Sequence, residues 1–309
     1  MNACLAFAAR NLARVSGYDP EAAEYFHSAC IELLIPALSD QTSAADPALL
    51  AATVILRVYD QLNATGDDER HLWGTTALVD LQNPDAPTAG GIRQAAFWVF
   101  IRQDIYMALV HQRPMRCNMD SFNVRVTFDA KDDAAWANWA IWLLGLIINY
   151  CFGPGEKSWE SWNHLNSLMD QWELRKPQSF VPFFYKERSE QDKQYFPILY
   201  FFDRIHITGC QYFHIGRTLL AIYDPRNNTM HVGLELQRAQ RQLQKRVLNH
   251  VRELYGIAFT TSPDFGPALF TTCCTLPLFG PWVTDRNEQL ILMTLLKDVE
   301  RCISLLHSH

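Results

Sequence analysis

The chain has 309 residues, of which 49% are hydrophobic, and this is enough to bury a sizeable core. The net charge of −6 and the pI near 5.9 exclude the strongly basic composition that is usual in nucleic-acid-binding domains. The longest apolar run, residues 140–148, is about half as long as a membrane span. We therefore expect an intracellular, soluble protein.

Helical periodicity dominates the sequence, whereas strand alternation and hairpin signals are weak. An N-cap at Asp46 followed by a first-turn proline, Pro47, opens one of the predicted helices. The predicted helices cover residues 2–13, 21–38, 48–62, 97–113, 134–152, 158–175, 195–223, 234–255, 268–276 and 287–306. We predict an all-α fold: one large domain of antiparallel helices over residues 1–309.

Two details of the second half are also predicted from turn signals and aromatic content. Gly256 is expected to close the helix 234–255. Residues 177–193 are expected to form a long loop whose aromatic side chains pack back on the core. These side chains are Phe180, Phe183, Phe184 and Tyr185.

The eight cysteines are scattered along the chain, and none forms a C-x-x-C pair. Only Cys273 and Cys274 are adjacent, so the spacing matches neither a disulfide framework nor a zinc module. We expect free, mostly buried thiols in a reducing compartment. The N-terminal stretch contains arginines within its weakly apolar part, which is unlike a secretory signal peptide.

Eight segments, in their order and spacing, resemble the regulatory, non-DNA-binding domain of fungal zinc-cluster (Zn2Cys6) transcription factors, with the ARCA-like subgroup nearest. The segments are LLAATVILRVYDQ (49–61), DDERHLWGTTAL (67–78), AAFWVFIRQDIYMALVHQRPMR (95–116), WANWAIWLLGLIINYCFG (136–153), WNHLNSLMDQWELRKPQSFVP (162–182), GCQYFHIGRTLLAIYDP (209–225), YGIAFT (255–260) and LFGPWVTDRNEQ (278–289).

The resemblance implies a nuclear regulator of RNA polymerase II transcription. The DNA-binding module of the family is a six-cysteine zinc cluster with C-x2-C-x6-C spacing, and this sequence has no such spacing. We therefore expect zinc only in a module outside this chain, no cofactor in the chain itself, and no direct contact with nucleic acid. Residues 1–309 are interpreted as an N-terminally incomplete regulatory domain or a truncated relative.

The carboxylates of Asp67, Asp68 and Glu69, with His71, resemble an aspartate-rich motif that binds magnesium diphosphate in helical terpene cyclases. The second metal motif of those enzymes is missing from the sequence. Helix capping and the macrodipole explain carboxylates at a helix start. We predict a helix cap here and no metal site.

His206, Cys210 and His214 are four residues apart, so they lie on one face of a helix. They are zinc-ligand types, but on one straight helix they span about 12 Å and cannot all reach one ion. We predict packing at a helix interface. The alternative is a ligand pocket that includes these three residues together with Arg102 and Tyr106.

A basic stripe on the helix 234–255 is a candidate contact for phosphates or for an acidic partner. It consists of Arg238, Arg241, Lys245 and Arg252. Glu235 and Glu253 dilute the stripe, and a solvated helix face is the default interpretation.

Arg102 and Asp104 lie within the apolar helix 97–113 and point in different directions, so they do not pair with each other. Each needs a partner on a neighbouring helix or water, because an unpaired buried charge is costly. Arg57 and Asp60 are the natural partners. We predict a polar lock formed by Arg57, Asp60, Arg102 and Asp104.

The leading hypothesis for function is a regulatory domain that binds a protein partner, a second copy or a small apolar effector. The alternative is an enzyme recruited from this scaffold, for example a cyclase-like biosynthetic enzyme with Asp, His, Arg and aromatic side chains lining its pocket. No nucleophile or phosphate-loop motif occurs, so no catalytic residue is named. A closed cavity with converging polar side chains would favour the enzyme, and a flat apolar surface patch would favour the regulator.

Overall fold

The computed structural model describes residues 1–16, 18–39, 46–61, 79, 84–130, 132–228, 233–261 and 266–304. Helices predominate in this part of the chain, and its sheet has two short strands. The prediction of an all-α fold is confirmed. The helix start expected at Asp67–Glu69, with the metal interpretation of that segment, lies outside the described residues.

Contacts between backbone positions divide the chain into two compact units. The first unit comprises Met1–Asp104, Arg116–Arg125 and Lys297–His309, and the second comprises Ile105–Met115 and Val126–Leu296. The prediction of one domain over residues 1–309 stays a prediction.

The first unit contains the N-terminal helices, and α1 packs against the two that follow it. Their bounds are α1 (Asn2–Ser16), α2 (Pro20–Ser39) and α3 (Pro47–Gln61). Small side chains in α1 and α2 allow the helices to approach closely. The buried alanines are Ala3, Ala6, Ala9 and Ala23.

The start of α3 has the predicted cap. The Asp46 carboxylate accepts a hydrogen bond of 2.8 Å from the backbone N–H of Ala48. Pro47 occupies the first helical position, where its missing N–H would have no partner within the helix. The prediction of an N-cap at Asp46 followed by Pro47 is confirmed.

The next helix, α4 (Gly91–His111), begins earlier than the predicted 97–113. Gly90 precedes it with a φ of 76°, and Gln112 follows it with a φ of 49°. Both are left-handed conformations that interrupt a right-handed helix. Backbone conformation at these two residues therefore sets the ends of α4.

The second unit is built around α5, which packs against α6 and α7, while α7 packs against α8. The bounds of the remaining helices of the chain are α5 (Asp133–Phe152), α6 (Trp159–Arg175), α7 (Arg204–Ile222), α8 (Leu234–Thr260), α9 (Gly266–Cys273), α10 (Leu276–Phe279) and α11 (Arg286–Ser304). The strands β1 (Phe184–Lys186) and β2 (Ile198–Tyr200) form an antiparallel pair between α6 and α7 in the chain.

The helix α5 is apolar on nearly every side, as the sequence predicts. By length and composition it could cross a membrane, but 67% of its most apolar window is buried inside the protein. Burial of this kind is typical of the core helix of a globular domain.

Two predictions for the second unit are wrong. The predicted helix 195–223 begins only at Arg204, because residues 198–200 pair with β1 as a strand. Gly256 does not close its helix, since α8 continues to Thr260. A Cβ at Gly256 would lie 2.6 Å from the carbonyl oxygen of Pro197, so glycine allows close packing at this point instead.

Candidate partner-binding surface

The β1–β2 hairpin is held on the second unit by hydrogen bonds along β2. The backbone N–H of Phe183 donates to the carbonyl of Tyr200 at 2.9 Å. On the other side of β2, the hydroxyl of Thr260 on α8 donates to the carbonyl of Leu199 at 2.7 Å. These contacts, with the close approach at Gly256, fix the hairpin on the C-terminal part of α8.

A cluster of exposed rings covers this hairpin. Phe202 is 79% exposed and Phe183 is 56% exposed, and their ring centroids are 4.5 Å apart. Phe184 and Tyr200 are also exposed, with ring centroids 5.8 Å apart. We call Phe183, Phe184, Tyr200 and Phe202 the aromatic surface. Contiguous exposed apolar side chains of this kind mark interaction sites more often than single ones do.

The aromatic surface overturns one sequence prediction. Phe180 is buried, as expected of a side chain that packs back on the core. Phe183, Phe184 and Tyr185 are exposed instead. The reason is the hairpin: residues 184–186 form a strand that pairs only with β2, so these side chains stand out from it.

A shallow groove of about 190 Å³ lies beside the aromatic surface. Its lining residues are Leu199, Tyr200, Phe201, Phe202, Asp203, Arg204, Ile207, Thr260 and Thr261. Asp203 caps α7 by accepting a hydrogen bond from the backbone N–H of Ile205 at 2.8 Å. Thr261 donates to the carbonyl of Ile257. These polar groups already have partners within the protein, so the groove offers mainly apolar contact.

Polar contacts with two helices also hold the hairpin in place. The Tyr185 hydroxyl donates to the carboxylate of Glu253 on α8 at 2.7 Å. Burial raises the pKa of Glu253, and the bond from Tyr185 partly offsets this effect. The fully buried Glu288 carboxylate on α11 accepts from Arg252 at 2.8 Å and lies 3.3 Å from Arg188 in the hairpin loop. The loop is therefore tied to two helices.

The structure gives His206, Cys210 and His214 separate partners. The Nε2 atom of His206 lies 2.8 Å from the Asp133 carboxylate. The thiol of Cys210 donates to the carbonyl of Phe180. These side chains lie on one face of α7, but they do not converge on one point. The predicted ligand pocket of His206, Cys210 and His214 with Arg102 and Tyr106 stays a prediction.

The third of these side chains, His214, belongs to a buried histidine pair. Its Nδ1 lies 3.2 Å from Nδ1 of His250 on α8. Burial is the main cause that lowers the pKa of both imidazoles, and it brings the pKa of His250 to about 4. The charges of Arg217 and, for His214, Lys176 act in the same direction. The pair is neutral at pH 7.

Asp104 is fully buried in the first unit, and its Oδ2 accepts hydrogen bonds from two backbone N–H groups. These belong to Arg116, at 2.8 Å, and Cys117, at 3.0 Å. Asp104 therefore fixes the turn that follows α4. Arg57 is also buried, and its charge lowers the pKa of Arg116, although burial is the larger cause. The polar lock of Arg57, Asp60, Arg102 and Asp104 stays a prediction.

In the part of the chain that the structure describes, no three His, Cys, Asp or Glu side chains come together as a metal site. The cysteines whose side chains are described are free thiols, namely Cys4, Cys30, Cys117, Cys151, Cys210 and the adjacent Cys273 and Cys274. The described residues therefore do not fit a cysteine-rich zinc cluster.

Sequence reasoning missed the aromatic surface, although a signal for it exists. Two aromatic segments, FFYK and YFPILYFF, flank the polar stretch ERSEQDKQ. Apolar segments around a polar turn are typical of a hairpin. The exposure of the rings follows only from the packing of the hairpin on α8.

Comparison with known proteins gives one match. Residues 1–149 match the family model of the fungal specific transcription factor domain. No curated protein and no solved structure matches the chain. The resemblance to this family is confirmed on those residues, whereas the ARCA-like subgroup and the link to a zinc cluster stay predictions.

Proposed function

Because residues 1–149 match the family model of the fungal specific transcription factor domain, we propose that the chain is a regulatory domain that controls RNA polymerase II transcription. It acts in the nucleus, by binding a protein partner through the aromatic surface. Zinc and DNA contact belong to a separate zinc-cluster module, and the chain itself uses no cofactor.

The observation that supports this proposal is the exposure of Phe183 and Phe202 on a hairpin that is otherwise firmly anchored. Large aromatic side chains carry much of the binding energy at protein interfaces. A rigid hairpin also loses little conformational entropy when a partner binds. The aromatic surface thus has the composition and the support of a protein-binding site.

The size of the groove favours a protein partner over a small apolar effector. Pockets for drug-sized ligands occupy about 300–1,000 Å³ and bury most of the ligand. The groove measures about 190 Å³ and is open to solvent. It suits one side chain of a partner that also covers the rings.

The enzyme alternative calls for a closed cavity with converging Asp, His or Arg side chains. The comparisons give that alternative no support. The carboxylate of Asp203, the acidic group in the groove, is engaged as the cap of α7.

A truncated relative that competes for the partners of a longer transcription factor would bind them through the aromatic surface as well.

A tethering experiment tests the proposal. The full chain is fused to a heterologous DNA-binding domain and expressed in yeast with a reporter gene. We expect the fusion to change reporter output, and we expect F183A/F202A to abolish the change, since loss of two interface aromatics weakens binding at least about tenfold. F270A, which removes an exposed ring on α9, is the matched control and should behave as wild type.

Two results would contradict the proposal in different ways. An inert wild-type fusion, with normal expression, would argue against a role in transcription. An active F183A/F202A fusion would leave the regulatory role intact but reject the aromatic surface as its site. Circular dichroism on the purified variants checks that both exposed substitutions leave the fold unchanged.

A further inference from the structure

The two halves of α8 have opposite environments. In residues 247–260 eight residues are buried, among them Val247, Val251 and Leu254. In residues 234–246 no side chain is buried. At 1.5 Å per residue the exposed half is about 20 Å long. It is a helical surface that the described part of the chain leaves open to solvent.

Three cations follow one side of this exposed half. Arg238, Arg241 and Lys245 are spaced three and four residues apart, so they lie on one stripe of the helix. None of the three forms an ion pair or a hydrogen bond with a residue that the structure describes. Arg252, further along, is paired with Glu288. We call Arg238, Arg241 and Lys245 the basic ridge.

The basic ridge disfavours the helix that carries it. Arg241 and Lys245 are like charges at i and i+4, which is a destabilising pair. Gly233 at the N-cap supplies no side-chain hydrogen bond, and Glu235 is the one carboxylate in residues 234–246. A local preference that disfavours the observed structure is typical of functional positions.

We propose that the basic ridge binds an acidic, amphipathic segment of a partner protein. Carboxylates would remove the repulsion between the cations. Leu234, 70% exposed, is four residues before Arg238 and therefore offers apolar contact on the same side of the helix. This site is separate from the aromatic surface and goes beyond the proposed function.

The same observations favour a polypeptide over a nucleic acid. Affinity for DNA comes from many phosphate contacts, and DNA-binding domains are usually strongly basic. Here three unpaired cations stand in a chain with a net charge of −6. The exposed Leu234 beside the ridge suits a partner that also has apolar side chains.

Fluorescence anisotropy with the full chain tests the proposal. The probe is a labelled amphipathic peptide rich in Glu and Leu, and the same peptide with Gln in place of Glu is the uncharged comparison. We expect saturable binding of the acidic peptide that weakens with salt. R238Q/R241Q/K245Q should bind about tenfold more weakly, since three exposed charge pairs are lost.

The matched control is R125Q/R175Q/K193Q, which removes three exposed cations outside the ridge and changes the net charge equally. We expect it to bind the peptide as wild type does. Equal loss in both triple variants would overturn the proposal, because overall charge would then explain the binding. Absence of binding by the wild-type chain, or tighter binding of duplex DNA than of the peptide, would overturn it as well.

Thermal unfolding separates binding from a structural role. Glutamine retains helix propensity and removes the repulsion, so the ridge variant should unfold at the same temperature as wild type or higher. Weaker peptide binding with lower stability would instead mean that the ridge supports the fold. The outcome is independent of the reporter experiment on Phe183 and Phe202.

Discussion

The interface of α1, α2 and α3 in the first unit and the core of the second unit are filled with side chains of different size. In the first unit, α1, α2 and α3 meet over alanines, and the hydroxyl of Tyr59 accepts a hydrogen bond from Arg10 at 2.8 Å. In the second unit, large rings fill the space between helices. Trp172 stacks on Phe213 with centroids 4.9 Å apart and donates to the carbonyl of Trp136 at 3.0 Å.

This difference determines how each of these two regions is most easily damaged. An interior of large rings loses stability when a side chain is shortened, because a cavity remains. An interior of alanines loses stability when a side chain is lengthened, because the helices are forced apart. The comparison therefore predicts opposite sensitivities, which single substitutions can test.

The largest effect is expected for Trp172→Ala in the second unit. The substitution leaves a cavity and removes the donor to the Trp136 carbonyl, so we expect a loss of about 4 kcal/mol in the free energy of unfolding. Leu174→Ala, at an 84% exposed position of the same helix, should change it by less than about 0.5 kcal/mol. Urea unfolding measures both. Similar losses in the two variants would reject the packing argument.

A pH-dependent effect is expected from the buried pair of His214 and His250. Burial holds the pKa of His250 at about 4, whereas an unfolded histidine has a pKa of about 6.5. Below pH 6.5 the unfolded state therefore takes up a proton that the native state does not bind. The stability from this group is complete above pH 6.5 and falls by roughly 3 kcal/mol as the pH decreases to about 4.

Unfolding curves between pH 4 and 7.5 measure this loss. His250→Gln should show a flatter pH profile than wild type, because the replaced side chain no longer titrates. His164→Gln, at an exposed position on α6, serves as the control and should retain the wild-type profile. If His250→Gln also retained it, the buried pair would not be a source of acid sensitivity.

The smallest effect is expected for Ala6→Leu in the first unit. The longer side chain enters an interface formed by Ala9, Ala23 and Tyr59, and overpacking of this kind costs about 2 kcal/mol. Ala8→Leu on the exposed side of α1 should be nearly neutral. Thermal unfolding of the two variants measures the difference. An Ala6→Leu variant as stable as wild type would show that the interface has room for the side chain.

Much of the helical architecture could be predicted, because it depends on local chemistry. Asp46 with Pro47 marks the start of α3, and the apolar residues of α5 indicate a helix buried on nearly all sides. Caps and periodicity act over a few residues, so they are visible in the sequence. The family match on residues 1–149 likewise follows from linear order and spacing.

The candidate site could not be predicted in the same way. Residues 198–200 have enough apolar content to extend a helix, yet they form a strand because β1 and α8 supply partners for their backbone groups. Gly256 resembles a helix stop, but Pro197 lies so close that a side chain would clash. Each outcome depends on packing between α8 and the hairpin, and the bond from Thr260 to Leu199 joins residues 61 positions apart in the chain.

By itself the sequence determined that this protein is helical, where most helices begin and end, and which family its first 149 residues resemble. Those properties follow from interactions between near neighbours in the chain. Only the tertiary structure decided which aromatic and basic side chains stay exposed. Exposure depends on what other segments cover, and the hairpin on α8 and the open half of the same helix arise from long-range packing.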